Sequence, residues 1–285
     1  MLKRILTASI MIIVVFGFIL GLRQVHPAFL TGFITLLTIA ATYEMCSALK
    51  EAEYNTMKYV DLAAALIVCL LTYFFEYIGL IISIVAFVII ALSIFTFCHK
   101  YELKDVMATI FIFFYPIISM ALLIIMNNME IGLWAILLTV FIPVLTDTMA
   151  YFTGFTIGGK KLCPEISPKK TISGAIGGIL GGILGALLVF VLFDVTNLFA
   201  SFRYVSEFAL TDELWKSALI YILVGIIAAP ICEIGDLIAS WIKRKAGIKD
   251  YGSIFPGHGG FMDRLDSVIV NIPIVLVFAE IILHV

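Results

Sequence analysis

Nine apolar stretches govern what this chain can become: residues 5–22, 28–44, 60–76, 79–98, 106–127, 131–155, 174–193, 216–242 and 267–285. A helix that crosses a bilayer needs roughly 17–25 apolar residues, because no water is present there to satisfy its backbone. A chain made almost wholly of such stretches folds as an all-α polytopic integral membrane protein, and their spacing predicts about nine transmembrane helices. The break at Glu76-Tyr77-Ile78-Gly79 reads as a tight turn or a kink. Hydrophobic residues make up 62% and charged residues 13%, with mean hydropathy +1.15. Soluble domains are about half apolar and a quarter charged. This composition excludes an ordinary soluble globule, a disordered chain and a nucleic-acid binder, and a net charge of −2 selects no partner. Lys3-Arg4 before the first stretch mimics a signal peptide, but the stretch is long and no small-residue cleavage site follows. It is read as a retained first span.

The few charges set the orientation. With nine spans, 15 of the 18 Lys and Arg residues share the side of the N-terminus, and only Arg23, Arg203 and Lys216 lie on the other. Positive charge stays in the cytoplasm, so the N-terminus is expected there. Two cytoplasmic loops, 156–173 and 243–266, hold nine of those 15 charges and are rich in Gly and Pro, so turn chemistry should shape them. The outer segment 194–215 is aromatic and reads as interfacial. The five cysteines form no CxxC pair and read as small buried hydrophobes. Two glycine ridges run along the seventh span, Gly174-Gly178-Gly182 and Gly177-Gly181-Gly185. Glycine at this spacing lets backbones approach closely. Packing within the chain is the first reading, a homodimer interface the second, and room beside a lipid chain the third. The absence of an internal repeat argues against an inverted-repeat transporter.

Ionisable groups inside spans are functional candidates by default. The eighth span carries Glu233, Asp236 and Ser240 on nearly one face, continued by Lys243 and Arg244. A buried polar network that locks helices together is the alternative. The segment beyond is denser: Lys249-Asp250, Gly252, Phe255-Pro256, His258-Gly259-Gly260, then Asp263-Arg264-Leu265-Asp266. Carboxylates at this density suit Mg²⁺, which takes one or two of them together with substrate phosphates. The glycines would let backbone N–H groups reach phosphate oxygens, and the bases would meet a polyphosphate. A solvated loop with ordinary ion pairs is the bland counterpart. Asp147 lies at the cytoplasmic end of the sixth span, in Thr146-Asp147-Thr148-x-Ala150-Tyr151-x-x-Gly154. Then Ser167-Pro168-Lys169-Lys170-Thr171 precedes the seventh span, with Ser167 and Thr171 as candidate caps. Two lysines at a helix N-terminus disfavour the helix unless an anion compensates. A topology signal is the alternative there.

The run Ser240 to Asp266 resembles the signature of the phosphatidate cytidylyltransferase (CDP-diacylglycerol synthase) family, residue by residue. The Asp147 to Gly154 motif and the Ser167 to Thr171 segment are similar to that family too, so the resemblance covers about residues 140–285 by motif and the earlier spans by hydropathy. Ser173 departs from it, since the family usually has glutamate there. The resemblance implies an enzyme that transfers a cytidylyl group from CTP to phosphatidic acid, releasing pyrophosphate and CDP-diacylglycerol for phospholipid synthesis. It implies that Asp236, Asp263 and Asp266 hold one or two metals, Mg²⁺ with a monovalent ion such as K⁺ as a second occupant, and that Asp147 completes the site. Lys169, Lys170, Lys243, Arg244 and Lys249 would neutralise phosphates, with Ser167, Ser240, Gly259, Gly260 and Arg264 as further substrate contacts. His258 either protonates the leaving pyrophosphate or orders the glycine loop. Residues 1–130 are then a scaffold and lipid-side wall, and 131–285 the catalytic region. The expected location is a bacterial inner membrane, with the site facing the cytoplasm and open to membrane lipid. A transporter for a phosphorylated solute and a CDP-alcohol phosphotransferase are the competing classes; the latter's Asp-Gly-x-x-Ala-Arg motif is missing.

Overall fold

The computed structural model describes residues 2–202, 204, 210–211, 213–255, 257 and 259–284. Helix α1 (Leu2–Phe16) passes through a π-helical turn, Gly17–Leu22, into α2 (Arg23–Val25). Next come α3 (Pro27–Glu51), α4 (Lys58–Phe97), α5 (Leu103–Ile112) and α6 (Ser119–Asn128). Then follow α7 (Gly132–Thr156), strands β1 (Lys161–Cys163) and β2 (Ser167–Thr171), α8 (Ile172–Phe190), α9 (Leu214–Lys245) and α10 (Met262–His284). The helices start where the residues dictate. Pro27 stands at the first position of α3, and the His26 ring accepts the Ala28 amide at 3.1 Å. Hydroxyls inside the apolar helices return to their own backbone: Thr35 and Thr38 each donate to the carbonyl four residues earlier at 2.8 Å.

Seven helices among the described residues are long and apolar enough to cross a membrane, where the sequence predicts nine. The difference has two sources. The first apolar stretch forms a shorter apolar helix, Ser9–Val25. The third and fourth stretches form the single 40-residue element α4. That element is not straight. Glu76 has φ 49 and ψ −128, and Gly79 lies so close to the Leu71 carbonyl that a Cβ there would overlap it. Residues eight apart in an unbroken helix are about 12 Å apart along the axis. The chain therefore reverses at Glu76, and α4 is a hairpin with arms 58–75 and 77–97. Gly79 has to be glycine because the returning arm meets backbone.

The chain divides into two compact units: residues 1–128 with 242–265, and residues 129–241 with 266–285. In the first unit, Arg23 is buried and its Nε donates to the Asn127 side chain at 2.9 Å. Asp105 binds the Asn55 amide at 2.7 Å and the Glu102 amide at 3.0 Å, fixing the start of α5.

In the second unit α8 is packed by its glycines. Gly181 and Gly185 lie against the Leu145 and Phe141 carbonyls of α7, while Gly178 and Gly182 lie against Glu233 and Ala229 of α9. Both ridges are thus used inside the chain. A buried relay holds the opposite end: Trp134 Nε1 donates to the Tyr221 hydroxyl at 2.7 Å, and that hydroxyl donates to Asp194 at 2.6 Å. Asp194 is a partner that the interfacial reading of the outer segment did not foresee.

Segments 156–173 and 243–266 carry more regular structure than turn chemistry alone predicts. Segment 156–173 contains an antiparallel hairpin, β1 against β2, with Lys161 opposite Thr171 and Cys163 opposite Ser167. Gly158 (φ 66) and Gly159 (φ 106) turn the chain out of α7 in a conformation that other residues rarely adopt. In segment 243–266, α9 runs to Lys245 and α10 starts at Met262. Lys243, Arg244, Asp263, Arg264 and Asp266 are therefore helix residues, and the loop proper is 246–261.

Candidate active site

The second unit contains a cleft of about 560 Å³ whose charged lining is Asp147, Lys161, Lys169, Lys170, Glu233 and Asp236. Each comes from a different local cause. Asp147 stands on α7, two turns before the helix ends. Lys169 and Lys170 sit at the end of β2, immediately before Thr171 caps α8 by accepting the Gly174 amide at 3.0 Å. Thr171 is the cap; Ser167, the other candidate, lies four residues earlier in β2 opposite Cys163. Glu233 and Asp236 are one turn apart on α9. Lys170 Nζ meets Asp236 Oδ2 at 2.6 Å, with the side chains 22% and 27% exposed. That ion pair meets the charge demand of a basic strand arriving at a helix N-terminus. Ser240 turns its hydroxyl back to Asp236 at 3.5 Å, a weak contact one turn away.

Asp266, on α10, is linked to Asp147 through Ser267. Ser267 donates from its hydroxyl to Asp147 at 3.3 Å, and its amide donates to Asp266 at 2.9 Å. Gly235 lets α9 approach the Asp266 carbonyl, where a Cβ would crowd to 2.8 Å. Glu233 is 8% exposed, and its Oε1 has no hydrogen-bond partner beside Gly178. Thr146 Oγ1 is likewise buried without one. Tyr151 and Phe155, on the next turns of α7, stack with centroids 6.2 Å apart and line the same cleft. The sequence marks Lys161 only as a topology charge and gives Tyr151 and Phe155 no role; the register of β1 against β2 is what brings Lys161 to the cleft.

The glycine-rich turn belongs to the first unit. Asp263 is 7% exposed and holds three donors: Lys243 Nζ at 2.7 Å, the Tyr251 amide at 2.8 Å and the Gly260 amide at 3.0 Å. Phe255 and Gly259 close the turn with an isolated bridge, and Gly259 has φ 81. The Gly260 amide, expected to face phosphate, is thus given to a protein carboxylate. Lys249, Arg244 and Arg264 are exposed. His258 lies outside the described residues, as does Pro256.

Among the described residues no three Asp, Glu, His or Cys side chains converge into a ready-made metal site. The expected ligands instead face protein partners, Asp236 to Lys170, Asp263 to Lys243 and Asp147 to Ser267. The structure brings Asp147, Asp236, Asp266, Lys169 and Lys170 into one unit and gathers Lys243, Gly259, Gly260 and Asp263 in the other.

A model described as the cytidylyltransferase family matches residues 2–282. A protein of Aquifex aeolicus named phosphatidate cytidylyltransferase is 32% identical over 265 residues, 91% of this chain and 87% of that protein. Proteins of the same name from Rickettsia bellii and Rickettsia felis are 33% and 37% identical over 157 residues, 55% of this chain. Those matches span 62% and 63% of the Rickettsia proteins.

Proposed function

We propose a reaction for this chain from a firm premise: it belongs to the cytidylyltransferase family, whose model covers nearly all of it. The reaction is transfer of a cytidylyl group from CTP to phosphatidic acid. A lipid phosphate oxygen attacks the α-phosphorus of CTP, the bond from that phosphorus to the β-phosphate bridging oxygen breaks, and pyrophosphate leaves with the electron pair. The observation that carries this reading is the cleft, where three lysines of one hairpin face three carboxylates of the spanning helices. The name of the Aquifex relative supports the substrate pair.

Both substrates are anions, so the main obstacle is bringing them together. Lys161, Lys169 and Lys170 supply positive charge beside the N-terminus of α8, which already favours phosphate. The acids fit a hard divalent cation. They are all oxygen donors, and Asp236 already meets an ammonium at 2.6 Å, so cation and lysine compete for one oxygen. Asp147, Asp236 and Asp266 are the proposed Mg²⁺ carboxylates of this unit, with K⁺ as a second occupant. When bound, the ion would neutralise charge developing on the phosphates. In the first unit Asp263 Oδ2 is taken by two amides, so Oδ1, now facing Lys243, is the atom open to a similar exchange.

We also propose nine crossings, counting both arms of α4 and the Ser9–Val25 helix, with the N-terminus in the cytoplasm of a bacterial inner membrane. Cys98, exposed at the end of α4, then shares the cytoplasmic side with the 52–57 turn. A membrane-impermeant maleimide should label it in inverted vesicles and not in spheroplasts. The opposite pattern would overturn the proposed orientation.

The reaction is tested with labelled CTP and purified protein in detergent, with and without phosphatidic acid and Mg²⁺. Label should enter the lipid extract only when both are present. No label from a monodisperse sample under any divalent ion would overturn the assignment.

A further inference from the structure

The chemistry of the cleft leaves two facts about the signature turn without a cause: why Gly252 and Gly260 are glycine, and what holds the start of α10. One side chain accounts for both. Glu44 lies on α3 and is 4% exposed. Its Oε1 accepts the Phe261 amide at 3.1 Å, and its Oε2 accepts the Met262 amide at 2.8 Å. These amides stand at the entry to α10, among the donors that a helix N-terminus leaves unpaired, and its dipole favours an anion there. A Cβ added at Gly252 or at Gly260 would overlap the same carboxylate. Neither glycine has a positive φ, so what the turn uses at both positions is small size. The turn is therefore moulded around a side chain that lies some 200 residues away in sequence.

Glu44 and Asp263 divide the work. Asp263 gathers Lys243, Tyr251 and Gly260 from within the segment. Glu44 grips the next two amides from another helix. The two carboxylates are close enough to repel. The four amides and Lys243 offset that repulsion, and loss of one carboxylate would let the turn relax around the other. Both oxygens of Glu44 accept backbone donors, so its carboxylate is committed to the turn.

We propose that Glu44 is a positioning residue for cytidylyl transfer. Its carboxylate fixes the turn 252–262 and so sets the placement of Asp263 and the first turn of α10. The proposal rests on the reaction assigned above. The full-length protein in detergent–lipid micelles is compared with Glu44→Gln, Glu44→Ala, Gly252→Ala and the double variant Glu44→Ala/Gly252→Ala. Glu44→Gln keeps the shape and loses the charge and one acceptor. It should lower kcat by about 10- to 100-fold, the scale of a misplaced reacting group. KM for CTP and for phosphatidic acid should stay within about threefold, because no substrate contact is removed. Amide exchange across 251–262 should accelerate, with the spans unchanged. Gly252→Ala should impair the enzyme strongly when Glu44 is present and add much less when Glu44 is alanine, because the closest collision partner is gone and only the Gly260 Cα remains nearby.

A wild-type kcat in Glu44→Gln, unchanged exchange across the turn, or additive effects of the Gly252 and Glu44 substitutions would each overturn the proposal. If Glu44→Ala fails to insert, Glu44→Gln still decides it through kcat and exchange. Wild-type protein that makes no labelled lipid would remove the reaction and the catalytic half of the proposal with it. The exchange data would still show whether Glu44 organises the turn.

Discussion

The two acid-centred regions of this protein differ in how completely their polar groups are satisfied. In the glycine turn of the first unit every carboxylate oxygen has a donor: Asp263 has three and Glu44 two. In the cleft of the second unit Glu233 Oε1 is buried without a partner, and Asp236 relies on one lysine and one long contact from Ser240. A buried polar group without a partner costs about 1–3 kcal/mol. In the saturated turn the carboxylates are committed to protein donors, whereas the cleft keeps a buried acceptor open to a bound group.

Paired substitutions put the greatest strain on this contrast. Asp236→Asn should lower turnover by about 10³-fold or more, because several kcal/mol of charge stabilisation at the phosphates goes with it. Amide exchange across 251–262 should not change. Asp263→Asn should also abolish most turnover but accelerate exchange across that turn, because it removes the charge and one of the two acceptor oxygens that hold Lys243, Tyr251 and Gly260. Identical exchange profiles in the two variants would erase the distinction. Lys170→Met should cost less, about 10²-fold in kcat/KM, the usual scale for one charged contact to a phosphate in a dry site. Its partner Asp236 is then left without an ammonium, so the Mg²⁺ concentration for half-maximal activity should fall. A rise would place Lys170 on substrate alone.

The membrane architecture was legible because hydropathy is a property of runs, and runs survive without knowing any contact. Even the reversal of α4 had left a mark, an acid and a glycine at positions 76 and 79 between apolar stretches. What was hidden depends on partners. Spacing placed Gly259, Gly260 and Asp263 together, but it does not say which acceptor an amide faces, so a turn closed on carboxylates read as a phosphate cradle. Glu44 went unnoticed because the second apolar stretch was taken to end at it; an acid so near an apolar span is itself the warning that was available. The hairpin was hidden because Pro168, Lys169 and Lys170 have no strand-like alternation, and its pairing brings Lys161 to the cleft. Ser167 and Thr171 looked alike as caps, and only the starting point of α8 separates them.

Ser173 gives the smallest effect and a clean test of the same contrast, since it stands between the hairpin and α8. Its hydroxyl donates to the Gly158 carbonyl and shares a 3.1 Å contact with Thr171 Oγ1. Both partners are protein groups, which places Ser173 on the satisfied side of the ledger. Replacing it by glutamate removes both of these neutral hydrogen bonds, a loss of about 1–3 kcal/mol at about 0.5–1.5 kcal/mol each. It also puts a negative charge two residues past the cap of α8, a gain of about 0.3–1 kcal/mol from the helix dipole. The gain offsets part of the loss, so Ser173→Glu should fold to the parent structure with stability lower by about 2 kcal/mol at most. Turnover should stay within about threefold, a difference of less than 1 kcal/mol. The measurement is kcat and KM for both substrates, beside urea or thermal unfolding. A drop above tenfold with unchanged stability would mean that the new carboxylate draws Lys169 or Lys170 away from phosphate. The hairpin would then belong to the binding surface over its whole length, and not only at its lysines.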